Sequence, residues 1–191
     1  MNLFRMKTGL HFLNSKCVIV ALLSVFVLNG CKEATDNERV LYDGPLEVVN
    51  DVMLQISEGG IVKVTMETPL QLRYRNENKI YPDSIFINFY TPDGSRVMTT
   101  LRADSGRYDN SQKLYTVMGN VHIVNKEKQE HTYTQLLNWN PQTKKVYSDK
   151  HVLNRSLLTG SVMEGTGMDA DQAFKQIILR NARGRDYMNV D

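Results

Sequence analysis

One short phrase recurs along this chain and constrains its fold more than any other feature. Tyr108-Asp109-Asn110-Ser111-Gln112-Lys113-Leu114-Tyr115 reads aromatic, polar turn, lysine, aliphatic, aromatic. Trp139 to Tyr147 repeats it with one residue inserted, and Tyr74 to Tyr81 is a weaker, earlier copy. The copies start at 74, 108 and 139, a period of 34 and then 31 residues. A period in this range marks stacked copies of one unit. The unit here is strand, polar turn, strand. An array of such units makes a long surface or groove rather than a compact catalytic pocket.

Alternation supports strands through most of the chain. Ile85, Ile87 and Phe89 share one face, and Thr91-Pro92-Asp93-Gly94 is a turn. From Arg96 to Asp104, Val97, Thr99, Leu101 and Ala103 oppose Met98, Thr100, Arg102 and Asp104. Tyr115, Val117, Val121 and Ile123 form another face, with a bulge or bend at Gly119-Asn120. Tyr133, Leu137 and Trp139 are expected on a common face, followed by strands over Val146 to Leu153 and Ser161 to Met168. Leu46, Val49, Met53 and Ile56 have helix-like spacing over Pro45 to Ile56, and Asp169 to Leu179 fits a short helix or a last strand. The fold class expected is mainly β: a twisted antiparallel β-jellyroll of stacked strand-turn-strand repeats with at most one or two short helices.

The N-terminus reads as a targeting segment. Arg5, Lys7 and Lys16 precede an apolar run from Cys17 to Leu28, too short for an ordinary membrane-spanning helix of about 20 residues. Leu28-Asn29-Gly30-Cys31 resembles a bacterial lipobox, which makes 1–30 a lipoprotein signal peptide and Cys31 the lipid anchor; an uncleaved signal anchor starting near Lys16 is the alternative. Residues 31–43, polar and charged, read as a tether. The β domain is expected over 44–180, with 181–191 a frayed tail. With Cys17 removed and Cys31 acylated, neither of the two cysteines is left for a disulfide, so stability rests on the core.

Charge argues against a nucleic-acid partner. Removing Arg5, Lys7 and Lys16 from 23 basic residues leaves 20 against 21 acidic ones, a net of −1. No basic stripe remains to meet a phosphate backbone. Catalytic signals are equally thin. His11, His122, His131 and His151 show no metal-ligand spacing with one another or with cysteine, so no metal site is expected. Ser148-Asp149-Lys150-His151 holds the letters of a triad in adjacency, not its geometry. Gly160 to Gly167 lacks the Lys-Ser/Thr of a phosphate loop. The chain reads as a non-enzyme.

The apolar faces carry more. Leu101, Val117, Val121, Ile123, Leu137, Trp139, Val146 and Val152 are each simplest as core. As a set on a bent stack of hairpins they line a continuous trough. Such a lining suits acyl chains, because each buried methylene contributes about 0.8 kcal/mol.

From about Tyr81 to Asp171 the phrasing resembles the LptC family of lipopolysaccharide-export proteins. The matching blocks are Phe89-Tyr90-Thr91-Pro92-Asp93-Gly94, Ala103-Asp104-Ser105-Gly106-Arg107-Tyr108-Asp109, Gly119-Asn120-Val121, Thr134 to Asn140, Tyr147-Ser148-Asp149 and Gly165 to Asp171. The resemblance implies a β-jellyroll bridge subunit at the periplasmic face of the inner membrane. It implies lipopolysaccharide as ligand, an inner-membrane ABC transporter of LptB, LptF and LptG type as donor, and a periplasmic bridge protein of LptA type as acceptor. Transfer in that family runs by edge-to-edge strand pairing and draws its energy from ATP hydrolysis in the transporter, so the resemblance implies no cofactor for this chain. The strand containing Ser161, Val162, Met163, Gly165, Gly167 and Met168 is the expected partner edge. One departure is the lipobox, which stands where the best-known family type has a transmembrane helix, so that membrane attachment runs through the lipid anchor. The contrasting reading is a lipid-anchored module for glycans or proteins, in which Tyr74, Tyr81 and Trp139 lie on an outer face.

Overall fold

The computed structural model describes residues 42–185. The chain divides into two units, Met1–Tyr42 and Asp43–Asp191, and the described residues fall almost wholly in the second. The expected signal peptide, Cys31 and nearly all of the expected tether lie outside them.

The described residues contain strands and turns and no helix. The strands are β1 (Glu47–Glu58), β2 (Ile61–Arg73), β3 (Lys79–Tyr81), β4 (Ile85–Tyr90), β5 (Val97–Ala103), β6 (Ser105–Asp109), β7 (Leu114–Asn125), β8 (Glu130–Asn140), β9 (Lys145–Ser156), β10 (Val162–Asp171), β11 (Ile177–Leu179) and β12 (Arg183–Arg185). All twelve belong to one antiparallel, jellyroll-like sheet. β3 and β4 are two halves of one bent strand, broken around Pro82, and both pair with β2. β5 and β6 are likewise halves broken at Asp104, and both pair with β7. With the halves joined, each strand pairs with its neighbours in sequence, a simple up-and-down meander.

The recurring phrase is a five-residue turn with a definite chemistry. In each strong copy a side-chain oxygen closes the turn on two backbone amides. Asp109 Oδ1 accepts from the N–H groups of Ser111 (2.8 Å) and Gln112 (3.1 Å). Asn140 Oδ1 accepts from Gln142 (3.0 Å) and Thr143 (3.1 Å). The last turn residue then takes a left-handed conformation, Lys113 at φ 52° and Lys144 at φ 56°. Asn125 builds the same turn, accepting from Glu127 and Lys128, with Gln129 at φ 52°. That turn caps the opposite end of the sheet. The sequence period of 34 and 31 therefore spans two strands, down and back.

A line of irregularities crosses the middle of the strands. Arg102 pairs with His122 and Ser105 with Met118, three steps on one strand against four on the other. Further shifts fall between Met118 and Val121, between Thr134 and Asn138, and between Thr166 and Met168. Gly119 and Asn120 sit at φ 77° and 44°, Gly167 at φ 99°. An extra residue bends its strand and adds twist. Aligned across neighbouring strands, the shifts fold the sheet into two arms whose apolar faces meet. The ring of Phe89, at one end of its strand, packs edge-on against Trp139, at the other end of the sheet, with centroids 5.7 Å apart.

These shifts also explain where simple alternation misleads. Pro45 to Ile56 is no helix, because β1 pairs with β2 along its whole length. Asp51, at φ 51°, switches the alternation, so Val49, Val52, Leu54 and Ile56 turn inward, while Leu46 and Met53 of the helix-like set are exposed. Tyr133 does not share a face with Leu137 and Trp139. The shift after Thr134 changes the parity of β8, leaving Thr132 and Thr134 buried and Tyr133 outward. Asp169 to Leu179 is the end of β10, a short strap over 172–176, and β11. Of the tail expected from 181 onward, Arg183–Arg185 is paired to β10 as β12.

Gly119 shows what the bend requires. A Cβ there would stand 2.8 Å from Asp104 Oδ2, at a positive φ that side chains rarely adopt. Gly119→Ala is predicted to lower stability by about 2 kcal/mol, read as a lower urea midpoint with unchanged slope.

Candidate functional site

The interior between the arms is the one place where the predicted lining residues converge. All eight are buried there. Leu101 and Ile123 come from the arm that carries Phe89 and Thr99. Val117, Leu137, Trp139 and Val146 come from the other arm, and Val121 and Val152 stand beside the bend, both near Thr134. Val64, Met66, Ile87 and Met168 join the same cluster. Aromatic rings from the recurring phrase stack along one arm. Tyr108 lies 4.6 Å from Tyr115, its cross-strand partner, and Tyr115 5.1 Å from Trp139. In the longer copy the inserted residue gives Trp139 Val146 as partner and leaves Tyr147 off the ladder pair.

Polar groups in this interior are few and mostly satisfied. Burial pushes the Tyr115 hydroxyl up to about 12. The Tyr81 hydroxyl is raised further for the same reason, with a smaller contribution from Tyr115 and Tyr108. Among the described residues, Tyr81 Oη is the buried side-chain polar atom without a hydrogen-bond partner. Both rings stay neutral at any physiological pH, which keeps the lining uncharged.

Opposite the bend, the two arms meet at a mouth. Lys144 Nζ, in the turn between β8 and β9, pairs with Glu58 Oε2 at the end of β1 at 2.8 Å. The strap between β10 and β11 crosses beside it and buries Phe174 completely. A cavity of about 310 Å³ opens there, lined by Phe89, Pro92, Met98 and Ala173 together with Lys63, Lys144 and Lys175.

The expected partner edge differs from the structure. Ser161 precedes β10, and β10 carries Val162, Met163, Gly165, Gly167 and Met168. Its outer side is not free. Val162 and Met163 pair with Arg185 and Gly184 of β12, and Met168 with Leu179 of β11. Between them Thr166 donates to Arg180 O and Arg180 donates to Gly167 O. The glycines admit this returning segment. A Cβ on Gly165 would meet Arg180 O at 2.8 Å, and one on Gly167 would meet the Arg180 guanidinium at 2.5 Å. By period alone Asp169 to Leu179 fits a short helix or a last strand, so a return of the chain along β10 is not legible in it. Among the described residues, the open edges at the two ends of the array are β1, paired only to β2, and the outer side of β11 and β12.

Sequence reasoning also missed a contact on the outer face. His122 and His131 are nine positions apart, yet the β7–β8 hairpin sets them side by side. His122 Nε2 lies 3.0 Å from His131 Nδ1, and Tyr133 stacks on His122 at 4.5 Å. The available signal was the hairpin itself, since His122 pairs directly with Tyr133. Among the described residues no group of three or more metal-binding side chains gathers.

The family model for lipopolysaccharide assembly, LptC-related, matches residues 17–188. The chain belongs to that family. Its members are periplasmic, inner-membrane-associated components of the lipopolysaccharide transport bridge, and a transport component rather than an enzyme is what membership implies. A search of curated proteins finds no match to the chain.

The histidine pair gives a pH prediction. Partial burial first, then the neighbouring His131 and Arg102, hold the His122 imidazole below its usual 6.5. As pH falls from 6.5 toward that lowered value, the unfolded chain binds a proton that the folded chain refuses. This contribution to stability is complete above 6.5 and is lost through that window. His122→Gln is expected to flatten the fall in stability below pH 6.5, with urea melts at several pH values as the measurement.

Proposed function

We propose that the chain is a lipid-anchored bridge subunit that accepts lipopolysaccharide from an inner-membrane ABC transporter of LptB, LptF and LptG type. It passes the lipid on to a periplasmic β-jellyroll protein of LptA type. The observation that carries this reading is the pairing of a continuous apolar interior with open strand edges at both ends of the array. Acyl chains gain from the lining of Leu101, Val117, Val121, Ile123, Leu137, Trp139, Val146 and Val152, while sugars stay outside. Unpaired strand edges recruit further strands by backbone hydrogen bonding. On this reading β1 faces one partner. The end built from β10, β11 and β12 faces the other, and the docking strand is the short outer one rather than β10 itself. The LptC-related family match over 172 residues (17–188) supports the lipid and the location. The lipobox ending at Cys31 supports the anchor.

The alternative module for glycans or proteins places Tyr74, Tyr81 and Trp139 on an outer face; Tyr74 is half-buried, and the other two lie inside. Both are buried, at 1% and 4% exposure.

Two experiments test the proposal. A benzophenone amino acid replaces Tyr115, inside, or Tyr133, outside, in cells. Lipopolysaccharide adducts are expected at 115 and not at 133, and only with a transporter able to hydrolyse ATP. Adducts at 133 alone would place the sugar-binding or protein-binding reading ahead. Separately, Cys31→Ala is expected to leave the precursor uncleaved and unacylated, seen as the full-length mass of the intact protein. Normal processing of that variant would remove the anchor assignment.

A further inference from the structure

The strap from Gln172 to Lys175 bridges the mouth with a hydrogen bond at nearly every residue. On one side, Gln172 N donates to Lys144 O at 2.9 Å, and Trp139 Nε1 donates to Gln172 Oε1 at 3.1 Å. On the other, Thr99 Oγ1 donates to Ala173 O at 3.1 Å and Asn125 Nδ2 to Phe174 O at 3.0 Å. Lys128 Nζ donates to Lys175 O at 2.6 Å. Phe174 sits between these clamps at φ 54°, a conformation unusual for a residue of its size. Its ring is fully buried and packs edge-on against Phe89, with centroids 5.5 Å apart.

Thr99 and Asn125 are themselves buried polar groups within apolar walls, at 0% and 3% exposure. Buried donors are kept only where they have acceptors. Here their acceptors are amide carbonyls, and the group next to those carbonyls is hydrocarbon. A fatty acyl chain joined through an ester or amide offers the same pair: one carbonyl oxygen and an apolar tail. The strap thus presents to the interior the chemistry of an acylated lipid.

We propose that the strap is a displaceable plug, and that Phe174 holds the place of an acyl chain whose carbonyl is received by Thr99 and Asn125. The inference rests on the lipopolysaccharide reading above and adds where the chains enter and what they displace. Entry is through the mouth, opposite the bend. The mouth is suited to opening because side-chain contacts and single hydrogen bonds hold it, whereas strands that run from one arm into the other, β1, β2 and β7 to β10, hold the bend. The cavity against Phe89, Met98 and Ala173 is the space already available beside the plug.

Trp139 is the only tryptophan of the chain and touches the strap directly, so it reports opening without a label. The full chain is titrated with purified lipopolysaccharide and with the fully deacylated saccharide, following Trp139 emission and affinity. Lipopolysaccharide is expected to shift the emission, and the saccharide to leave it unchanged. Phe174→Ala removes the competitor and is expected to bind lipopolysaccharide about five- to tenfold more tightly, because the closed state no longer taxes binding. Phe174→Leu, which keeps the site filled, is expected to fall between. Should Phe174→Ala fail to fold, the wild-type emission and the Phe174→Leu affinity decide the matter. Equal affinities of the wild type, Phe174→Ala and Phe174→Leu, with the Trp139 emission shifted, would overturn the plug while leaving the lipopolysaccharide reading intact. Absence of binding by all forms would overturn that reading and the plug with it.

Discussion

Everything in this fold depends on the line of one-residue slips that crosses the sheet. A flat antiparallel meander of this length would expose one whole apolar face. Each slip bends its own strand, and because the slips on adjacent strands coincide, the bends add into a single crease. The two halves of the same face then bury each other. Gly119, Asn120 and Gly167 supply the left-handed backbone that the crease needs. Asp104 fills the break in the β5–β6 strand, where its N–H reaches the carbonyls of Met118 and Gly119.

The crease also decides what kind of interior results. A sandwich of two separate sheets has strand ends on every side. Here one side is closed by continuous strands, while the opposite side is closed by side chains and a five-residue strap. Thr99, Asn125 and the Trp139 indole direct their side-chain donors to that strap, while Thr134 and Ser148 bond each other beside the bend. The interior is therefore asymmetric, with one rigid wall and one held by contacts that can be exchanged.

Much of this was legible in the sequence, for physical reasons that can be named. Side chains alternate on a strand, so Ile85, Ile87, Phe89 and the run through Leu101 and Ala103 identified their inward face. The turn phrase was legible because Asp or Asn at its first position and a left-handed final residue are chemical requirements. The Gly119-Asn120 irregularity was legible as a bulge or bend. What was hidden is what parity conceals. The left-handed Asp51 changed which residues of β1 face inward, and the slip after Thr134 turned Tyr133 outward. Aspartate tolerates a left-handed φ without requiring one, and threonine gives no sign of a shifted register. The partner edge failed for another reason: whether β10 is free depends on where the chain goes after Asp171, and residues 177–185 lack the strong alternation that would have marked them as strands. Phe174 belongs to a connection, where an isolated aromatic residue has no period to read. The His122–His131 contact needed hairpin register, which the sequence implied without fixing.

The meander has a consequence for how the chain is assembled. Each ladder joins strands adjacent in sequence, so each can zip as soon as the next hairpin exists. Low contact order of this kind favours rapid, stepwise folding from either end. The ties across the mouth are different. Thr99 and Ala173 are 74 positions apart, and Glu58 and Lys144 are 86 apart. They form only after every strand between them is in place. The side of the protein that completes last in folding is thus the side that local fluctuations release first, so the order of construction leaves its weakest seam along the mouth.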